Sequence, residues 1–353
     1  MQEYENYILR DQGLFNIEFL KVAYGSMARR FVYRNGNRFF AHVCVAQPIE
    51  QWGYFFSEPW LGYHDPYFNT LDSDFIEDSI IIYSEWCKSQ GIIGELMRLN
   101  PVGRLHKILQ DTGKFVLDTG QMVSITDIPK SPDAYLSSIE NSCRRQIIKA
   151  RKSFEHIWFN KPKAEDLLSL ASLYSNSLDR CGAAPKWYLR HEDFSHLADL
   201  PCFDFLGVSS RTTGSLVAMA GVLYSGNMAH MLFVGCEDNK LYRGASDLLY
   251  YSTVCRAIQR QQSNDDCKHI CFGGGRGTDS RDGLIRFKAK FSLGHIQPCT
   301  YVILKHDPVV LERLGHIITE PINPPSDPAS QLKARHFPFL NSVQLGHPRK
   351  YGD

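Results

Sequence analysis

The chain has 353 residues, of which 43% are hydrophobic and 22% charged, and its formal net charge is +1 at pH 7. The length suits two domains of ordinary size better than one core, and the composition is that of a globular protein. A near-zero charge disfavours a chain coated in basic residues for DNA, and the longest apolar run, LVAMAGVLY, is too short to cross a bilayer.

The N-terminal stretch and the cysteines bear on localisation and metal binding. MQEYENYILRDQGLF is acidic and has no continuous apolar core, so we expect no signal peptide. The ten cysteines lie mostly in apolar segments such as HVCVA and HICFG, which is typical of reduced, buried cysteine in a cytoplasmic protein. Cys267 and Cys271 have no second cysteine pair at zinc spacing, so we expect no metal site.

The first half of the chain predicts a hairpin followed by alternating helices and strands. Residues 31–49 alternate around Asn35-Gly36, which predicts a hairpin with a two-residue loop. Apolar residues at helical spacing over 71–90 predict a helix that ends before Gly91. We then expect a strand in IIGELMRL, a short helix near LHKILQ, and two separate strands in KFVLD and QMVSITDI.

The second half predicts helices, an antiparallel meander, and then a helix, strand, helix and strand. Two helices are expected at about 132–154 and 164–180, followed by strands in CFDFLGVSS, SLVAMAGVLYSG and MAHMLFVGC. A long helix from Ala245 to Gln262, a strand in HICFG, a helix from Gly283 to Phe291 and a strand in CTYVILK complete the order. This order predicts a mixed α/β (α+β) fold with a largely antiparallel sheet.

Four stretches, taken in order, resemble a known family: EWCKSQGIIGELMRLNP, SSIENSCRRQIIKARKSF, LYSNSLDRCGAAPKWY and CFGGGRGTDSRDGLIRFKAKFSLG. They are similar to the FemAB-type branch of the GCN5-related N-acetyltransferase (GNAT) superfamily, whose members carry two such folds in tandem. The resemblance spans about residues 75–295. Since the first half also repeats a looser version of the second-half order, we predict two GNAT-like domains, 1–130 and 131–305, with 306–353 packing back on the first.

The last of these stretches contains the sharpest catalytic candidate, Lys288. As a helix, GLIRFKAKF places Leu284, Phe287 and Phe291 on one apolar face, and Lys288 falls in the same stripe. The resemblance implies that Phe287 and Lys288 are the family's Phe-Lys pair near the acyl donor. Amide-forming transfer passes through an oxyanion that a fixed cation stabilises. The alternative is a lysine whose stem packs on apolar surface while its ammonium reaches water.

The glycine-rich loop before this helix, GGGRGTDSRDG, lacks the ending of a Walker phosphate loop. Its glycines, Gly274 and Gly275 among them, allow backbone to approach a ligand closely, or they form a plain strand-to-helix connection. Asp279 and Asp282 flank the loop and are candidates to accept the proton of the attacking amine. Alternatively, Asp282 caps the helix that follows.

A basic helix precedes the meander and carries Arg144, Arg145, Lys149, Arg151 and Lys152. Its apolar face is expected to be Ile147, Ala150 and Phe154. The cations could hold phosphates of tRNA or of a nucleotide-linked acceptor, or they form an ordinary solvated helix face.

Two further groups are candidates for substrate binding. The resemblance implies that Arg180 contacts an acceptor phosphate, with Lys186 and Tyr188 on the same wall; the alternative for Arg180 is a cation that complements a helix C-terminus. A coenzyme A signature would fall in EDNKLYRGASDLL, where Arg243 and Gly244 stand at a helix entrance without the usual second glycine. Helix amides there could still hold a pyrophosphate, but the incomplete pattern favours a donor other than acetyl-CoA.

Three functions follow as hypotheses. The first is an aminoacyltransferase that uses aminoacyl-tRNA, with no other cofactor, and forms an amide with an amine on a phosphate-linked cell-envelope or secondary-metabolite precursor. The second is an acyl-CoA-dependent N-acyltransferase acting on an amino sugar. The third is a non-catalytic binding protein with the same fold. The joint presence of Phe287-Lys288, Arg180 and the basic helix favours an enzyme, and the incomplete coenzyme A turn favours the first hypothesis.

Overall fold

The computed structural model describes residues 13–49, 52–59, 61–238, 240–263, 266–275 and 281–315, together with 331, 333, 335–337 and 340. Within these ranges the helices are α1 (Ile17–Tyr24), α2 (Ser73–Ser89), α3 (Leu105–Thr112), α4 (Pro132–Ser138), α5 (Asn141–Ser153), α6 (Ala164–Cys181), α7 (His191–Ala198), α8 (Ala245–Gln262), α9 (Gly283–Ala289) and α10 (Pro308–Gly315). The strands are β1 (Ala28–Asn35), β2 (Arg38–Ile49), β3 (Tyr54–Ser57), β4 (Tyr67–Phe68), β5 (Ile92–Arg98), β6 (Val116–Asp127), β7 (Phe154–Phe159), β8 (Phe203–Ser210), β9 (Leu216–Ser225), β10 (Met228–Cys236), β11 (His269–Gly274) and β12 (Ile296–Leu304).

The chain forms two compact units that are interleaved along the sequence. The hairpin unit contains the described residues of 23–123, 274–282 and 297–353, and the meander unit contains those of 1–22, 124–273 and 283–296. The sequence suggested two consecutive domains, 1–130 and 131–305, and that division stays a prediction.

The hairpin unit has the strand order β1-β2-β3-β5-β12-β6. The predicted hairpin is confirmed: Asn35 pairs with Arg38, so its two loop residues are Gly36 and Asn37, with Gly36 at φ 60°. Helix α2 begins after Asp72, whose carboxylate accepts a hydrogen bond from Phe75 N at 2.9 Å. Phe337 packs on Phe56 of the same unit, with ring centroids 4.9 Å apart.

The two strands predicted in KFVLD and QMVSITDI are a single strand, β6. The predicted pattern left Thr119-Gly120 between the two strands as a break, but the strand continues through both residues. Here Gly120 is needed for close approach instead, since a Cβ at this position would overlap the Tyr301 ring and the Cys299 thiol.

The meander unit has the strand order β11-β10-β9-β8-β7. Its pairs are antiparallel except β10 with β11, where Met228 lies opposite His269 in a parallel register. The predicted mixed α/β fold with a largely antiparallel sheet is therefore confirmed. Strand β7, in FEHIWF, was not predicted, because its residues had been partly assigned to the preceding helix.

The helix predicted over 132–154 is two helices, α4 and α5. The chain is extended at Ile139, with ψ 157°, and the Ile139 side chain is 4% exposed and belongs to the core. Burial of this one residue therefore outweighs continuation of the helix. The second predicted helix is confirmed as α6, which ends at Gly182 in the left-handed conformation with φ 60°.

Helix α8 has the predicted bounds and is the centre of the meander core. Leu248, Leu249, Val254 and Ile258 on this helix are at most 2% exposed. Within the described residues, no helix is apolar over a length sufficient to cross a membrane.

Candidate functional site

Lys288 lies in α9 with its ammonium against the end of β11. The side chain is half-buried, and a Cβ built on Gly273 would lie 3.3 Å from Lys288 Nζ. Gly273 has φ +81°, so the glycine turn both adopts a conformation that side chains disfavour and leaves room for the ammonium. A fixed cation thus stands at a strand end, as the sequence hypothesis requires, although its chemical role stays a prediction.

The apolar face predicted for this helix was wrong by one residue. Leu284 is 39% exposed, whereas Ile285 is fully buried. The helix ends at Ala289, and Phe291 N donates a hydrogen bond to the Lys288 carbonyl at 2.9 Å, so the chain turns before it buries Phe291. The predicted face assumed a regular helix as far as Phe291.

Phe287 anchors α9 to α8 through an aromatic cluster. Its ring lies 5.2 Å from Tyr250 and 5.4 Å from Phe291, both with edge contacts. Tyr250 also lies 5.5 Å from Phe272 in β11. Each such pair contributes about 0.5–1.5 kcal/mol beyond area burial. The cluster therefore holds Lys288, the next residue, in a defined position.

The candidate loop residues Gly274, Gly275 and Asp282 belong to the hairpin unit. A Cβ on Gly274 would lie 2.9 Å from the side chain of Gln121 and 3.1 Å from Tyr63 Oη, so the backbone is tightly enclosed. Gly275 N donates a hydrogen bond to Met122 O at 3.2 Å. Asp282 is half-buried immediately before α9, and Asp279 lies outside the described residues.

The basic helix is α5, and its predicted apolar face is confirmed. Ile147, Ala150 and Phe154 are buried. Arg145, Lys149 and Lys152 share the exposed face, Arg144 donates a hydrogen bond to Asn141 Oδ1, and Arg151 stacks 4.5 Å above the Tyr251 ring. The neighbouring Glu155 pairs with Arg211 at 3.6 Å rather than with this helix.

At Gly244, the basic helix α5 packs closely against the start of α8. Its φ is +96°, and a Cβ at this position would lie 3.4 Å from Cβ of Ala150 in α5. Beside it is a cavity of about 580 Å³, which we call the α8 cavity; it is lined by Gln146, Lys149, Ala150, Ser153, Phe154, Arg243, Gly244, Asp247 and Lys290. Three predicted binding residues, Lys149, Arg243 and Gly244, therefore meet here, whereas Arg144, Arg145 and Lys288 are not among its lining residues.

Two residues of this cavity were missed by the sequence argument. Lys290 was not among the candidates; it is half-buried, lies 5.0 Å above the Phe287 ring, and lines the α8 cavity. It also lines a second cavity of about 580 Å³, with Glu140, Arg286 and Phe287 among its walls. Its spacing of three residues from Phe287 is the signal that could have identified it.

Asp247 is the other missed residue, in the first turn of α8. It is 8% exposed, and its Oδ1 accepts no hydrogen bond from the described residues. Burial raises the pKa of the Asp247 carboxyl, and the charge of Lys290 acts in the opposite direction. An acidic residue in a first helical turn is a common sequence feature, so only the structure reveals that this one is buried.

Arg180, Lys186 and Tyr188 form a separate group at the end of α6. Arg180 donates a hydrogen bond to the Cys236 carbonyl, Tyr188 Oη donates to Asp179 Oδ1 at 2.7 Å, and Lys186 Nζ lies 5.6 Å from the Trp187 ring. Ser246 in α8 donates to the Cys236 thiol at 3.1 Å. Cys236 therefore contacts both Arg180 and the start of α8. In the described part of the chain, no group of three or more His, Cys, Asp or Glu side chains could hold a metal ion.

Comparison with known proteins identifies the fold. No protein-family model and no curated protein sequence matches the chain. Among solved structures, FemX is similar over 90% of this chain and 98% of its own, with a TM-score of 0.66 and 13% identity. L-PGS from Bacillus licheniformis is similar over 91% and 98%, with a TM-score of 0.56 and 13% identity.

A third structure belongs to a protein named as a lysylphosphatidylglycerol synthetase, from Agrobacterium fabrum. Its C-terminal domain is similar over 86% of this chain and 90% of its own, with a TM-score of 0.55 and 14% identity. At these identities the likeness concerns the fold. The FemAB-like fold that four sequence stretches predicted is thereby confirmed: the chain folds as FemX does.

Proposed function

We propose that this protein is an amide-forming acyltransferase that moves an aminoacyl group from aminoacyl-tRNA to an amine. The acceptor amine belongs to a phosphate-containing cell-envelope or secondary-metabolite precursor. The observation that carries the proposal is the position of Lys288, whose Nζ stands against the glycine turn at the end of β11 in a fold shared with FemX.

The reaction needs few protein groups. The acceptor amine attacks as the free base, a C–N bond forms at the ester carbonyl carbon, and negative charge develops on the carbonyl oxygen. Lys288 is proposed to stabilise this oxyanion. The C–O bond then breaks, and the proton lost by the amine passes to the leaving 3′-oxygen of the RNA, directly or through solvent.

Several cations of the meander unit support a donor with phosphate groups. Lys149 and Arg243 line the α8 cavity, and Arg145 and Lys152 share the exposed face of the same helix as Lys149. Phosphate contacts of this kind give RNA binding that weakens steeply as the salt concentration rises. The basic helix α5 is therefore proposed to hold the donor RNA near its 3′ end.

The acyl-CoA hypothesis is the second candidate, and a specific observation favours it. Gly244 precedes an eighteen-residue helix whose first turn lines a cavity, and helix N-termini bind pyrophosphate readily. Only the aminoacyl-tRNA donor contains RNA, so digestion of RNA distinguishes the two donors.

The test compares labelled aminoacyl-tRNA and labelled acyl-CoA as donors. The acceptor is an extracted mixture of cell-envelope precursors. We expect transfer from aminoacyl-tRNA that ribonuclease abolishes when it is added before the enzyme. Transfer from acyl-CoA after complete RNA digestion would refute the tRNA proposal and support the second candidate.

A further inference from the structure

The buried carboxylate of Asp247 lacks a protein partner for one of its oxygens. Oδ1 accepts no hydrogen bond from the described residues, and the whole residue is 8% exposed. Leaving a buried acceptor unsatisfied costs about 1–3 kcal/mol, and more for a charged group. Because Asp247 lines a cavity, a ligand that donates a hydrogen bond to it can recover this free energy.

The α8 cavity carries charges of both signs. Lys149, Arg243 and Lys290 supply cations, and the N-terminal end of α8 adds positive potential. A cavity for a pyrophosphate alone gains nothing from a carboxylate, which repels such an anion. The charges instead complement a ligand that holds an ammonium group beside a phosphodiester.

The two candidate donors differ in this respect. An amino acid esterified to the 3′ end of RNA presents an α-ammonium close to phosphodiester groups. An acyl-CoA presents a pyrophosphate and no aliphatic ammonium. We propose that Asp247 binds the ammonium of an aminoacyl donor and makes the α8 cavity selective for such a donor over acyl-CoA. This inference rests on the proposed function and assigns one residue, Asp247, to recognition of its donor.

The subsite changes no covalent bond. The donor's own ammonium does not attack, keeps its charge, and exchanges its contact with water for a hydrogen bond to Asp247 Oδ1. Arg243 and Lys149 face the phosphodiester of the same ligand. Asp247 is therefore a specificity-determining residue.

The test measures binding of small donor mimics by isothermal titration calorimetry. The probes are 3′-aminoacylamino-3′-deoxyadenosine 5′-phosphates carrying alanine, serine or lysine, each with a free α-amine or with that amine acetylated. For at least one amino acid, we expect wild-type protein to bind the free-amine form about 10- to 100-fold more tightly, the range for a hydrogen bond to a charged group. This comparison does not depend on any variant folding.

The variant Asp247→Asn removes the charge and keeps the shape. We expect it to bind the free-amine and acetylated forms within about twofold of each other and to bind coenzyme A more tightly than the wild type, because a repulsive charge is gone. The matched control is Asp133→Asn. Asp133 is also in a first helical turn, that of α4, but it is exposed and outside the α8 cavity, so the preference should persist.

Equal binding of the two forms by the wild type, no binding of any probe, or a preference that survives Asp247→Asn would each overturn the inference. Failure of the proposed function looks different. Transfer from acyl-CoA with all RNA digested refutes the tRNA donor even if the ammonium preference is present. Transfer from aminoacyl-tRNA without that preference refutes the role of Asp247 alone.

Discussion

The two units differ in whether a buried carboxylate has hydrogen-bond partners for both of its oxygens. In the hairpin unit, Glu95 is fully buried and accepts hydrogen bonds from Tyr83 at 2.7 Å and Ser57 at 2.9 Å, while His42 lies at 3.2 Å. In the meander unit, Asp247 is almost as deeply buried but leaves Oδ1 without a partner in a cavity lined by cations. A buried carboxylate whose two oxygens both accept hydrogen bonds stabilises a fold, whereas a buried carboxylate with an unsatisfied oxygen at a cavity indicates a binding site.

The same contrast holds for one cation of each unit, Arg98 and Lys290. Arg98 of the hairpin unit donates from Nε to Tyr301 Oη at 2.9 Å and lies 5.4 Å from the Tyr63 ring. Lys290 of the meander unit has a ring contact with Phe287 but lines two cavities. We therefore expect substitutions in the first network to change stability and substitutions around α8 and α9 to change ligand binding or turnover.

The largest expected effect is on stability, from Glu95→Ala. It leaves Tyr83, Ser57 and His42 without their common acceptor inside the core, and breaking such a buried network costs about 3–5 kcal/mol. Urea unfolding monitored by circular dichroism measures the change. The control, Glu77→Ala, removes a pair with the exposed Lys114 and should cost less than about 1 kcal/mol. Similar losses in both variants would show that the Glu95 network is no stronger than a surface pair.

The next effect is on catalysis, from Lys288→Ala. Loss of one group that stabilises an oxyanion lowers kcat about 10²- to 10³-fold. Lys268→Ala is the control, since Lys268 is an exposed lysine of the same unit just before β11. Single-turnover transfer from the active donor gives the chemical rate directly. An unchanged rate in Lys288→Ala, with the fold intact, would remove this lysine from the mechanism.

A smaller effect is expected from Gly244→Ala. The φ of +96° is unfavourable for alanine, and left-handed backbone costs about 1–2 kcal/mol for such a residue. The free energy of unfolding from urea titration should fall by that amount. Gly283→Ala is the matched control, because a Cβ there meets no atom within 4 Å and the residue begins a helix, so stability should stay the same or rise. A loss in the control as large as that in Gly244→Ala would contradict the backbone explanation.

Local periodicity predicted most of the framework, and tertiary contacts explain the errors. Helices α2 and α8 and the β1–β2 hairpin carry their signals within the segment itself, so their bounds were predicted closely. Gly120 and Ile139 were misinterpreted because the cause of their conformation is a distant neighbour or the core. Sequence spacing cannot show such a contact.

The candidate site likewise contains residues that local sequence predicted and residues that only the packing reveals. Lys149, Arg243 and Gly244 could be proposed from a basic helix and a helix entrance, and they share a cavity. Asp247 and Lys290 look like ordinary surface charges in the sequence, since their burial depends on how α5, α8 and α9 pack. A residue whose importance comes from being left unpaired has no local signature.

The smallest effect, and the one that compares the two units directly, concerns pH. Burial raises the pKa of Glu95, but the charge and hydrogen bond of His42 and the charge of His306 outweigh burial and hold its pKa well below the usual value of 4.5. The stability that Glu95 contributes is therefore complete above about pH 4.5 and is lost as the pH falls further. The pH dependence of stability contributed by Asp247 has the opposite sign. Burial raises the pKa of Asp247 above the usual value of 3.8, so protonation favours the folded state.

The difference in free energy of unfolding between the wild type and Glu95→Gln isolates the contribution of Glu95. The corresponding difference for Asp247→Asn isolates that of Asp247. Free energies of unfolding from urea titrations between pH 7 and pH 3.5 provide the measurement. As the pH falls, the advantage of the wild type over Glu95→Gln should shrink, whereas its stability relative to Asp247→Asn should rise. Slopes of the same sign for both variants would mean that the two carboxylates have similar environments, and the distinction between a structural network and a binding carboxylate would then fail.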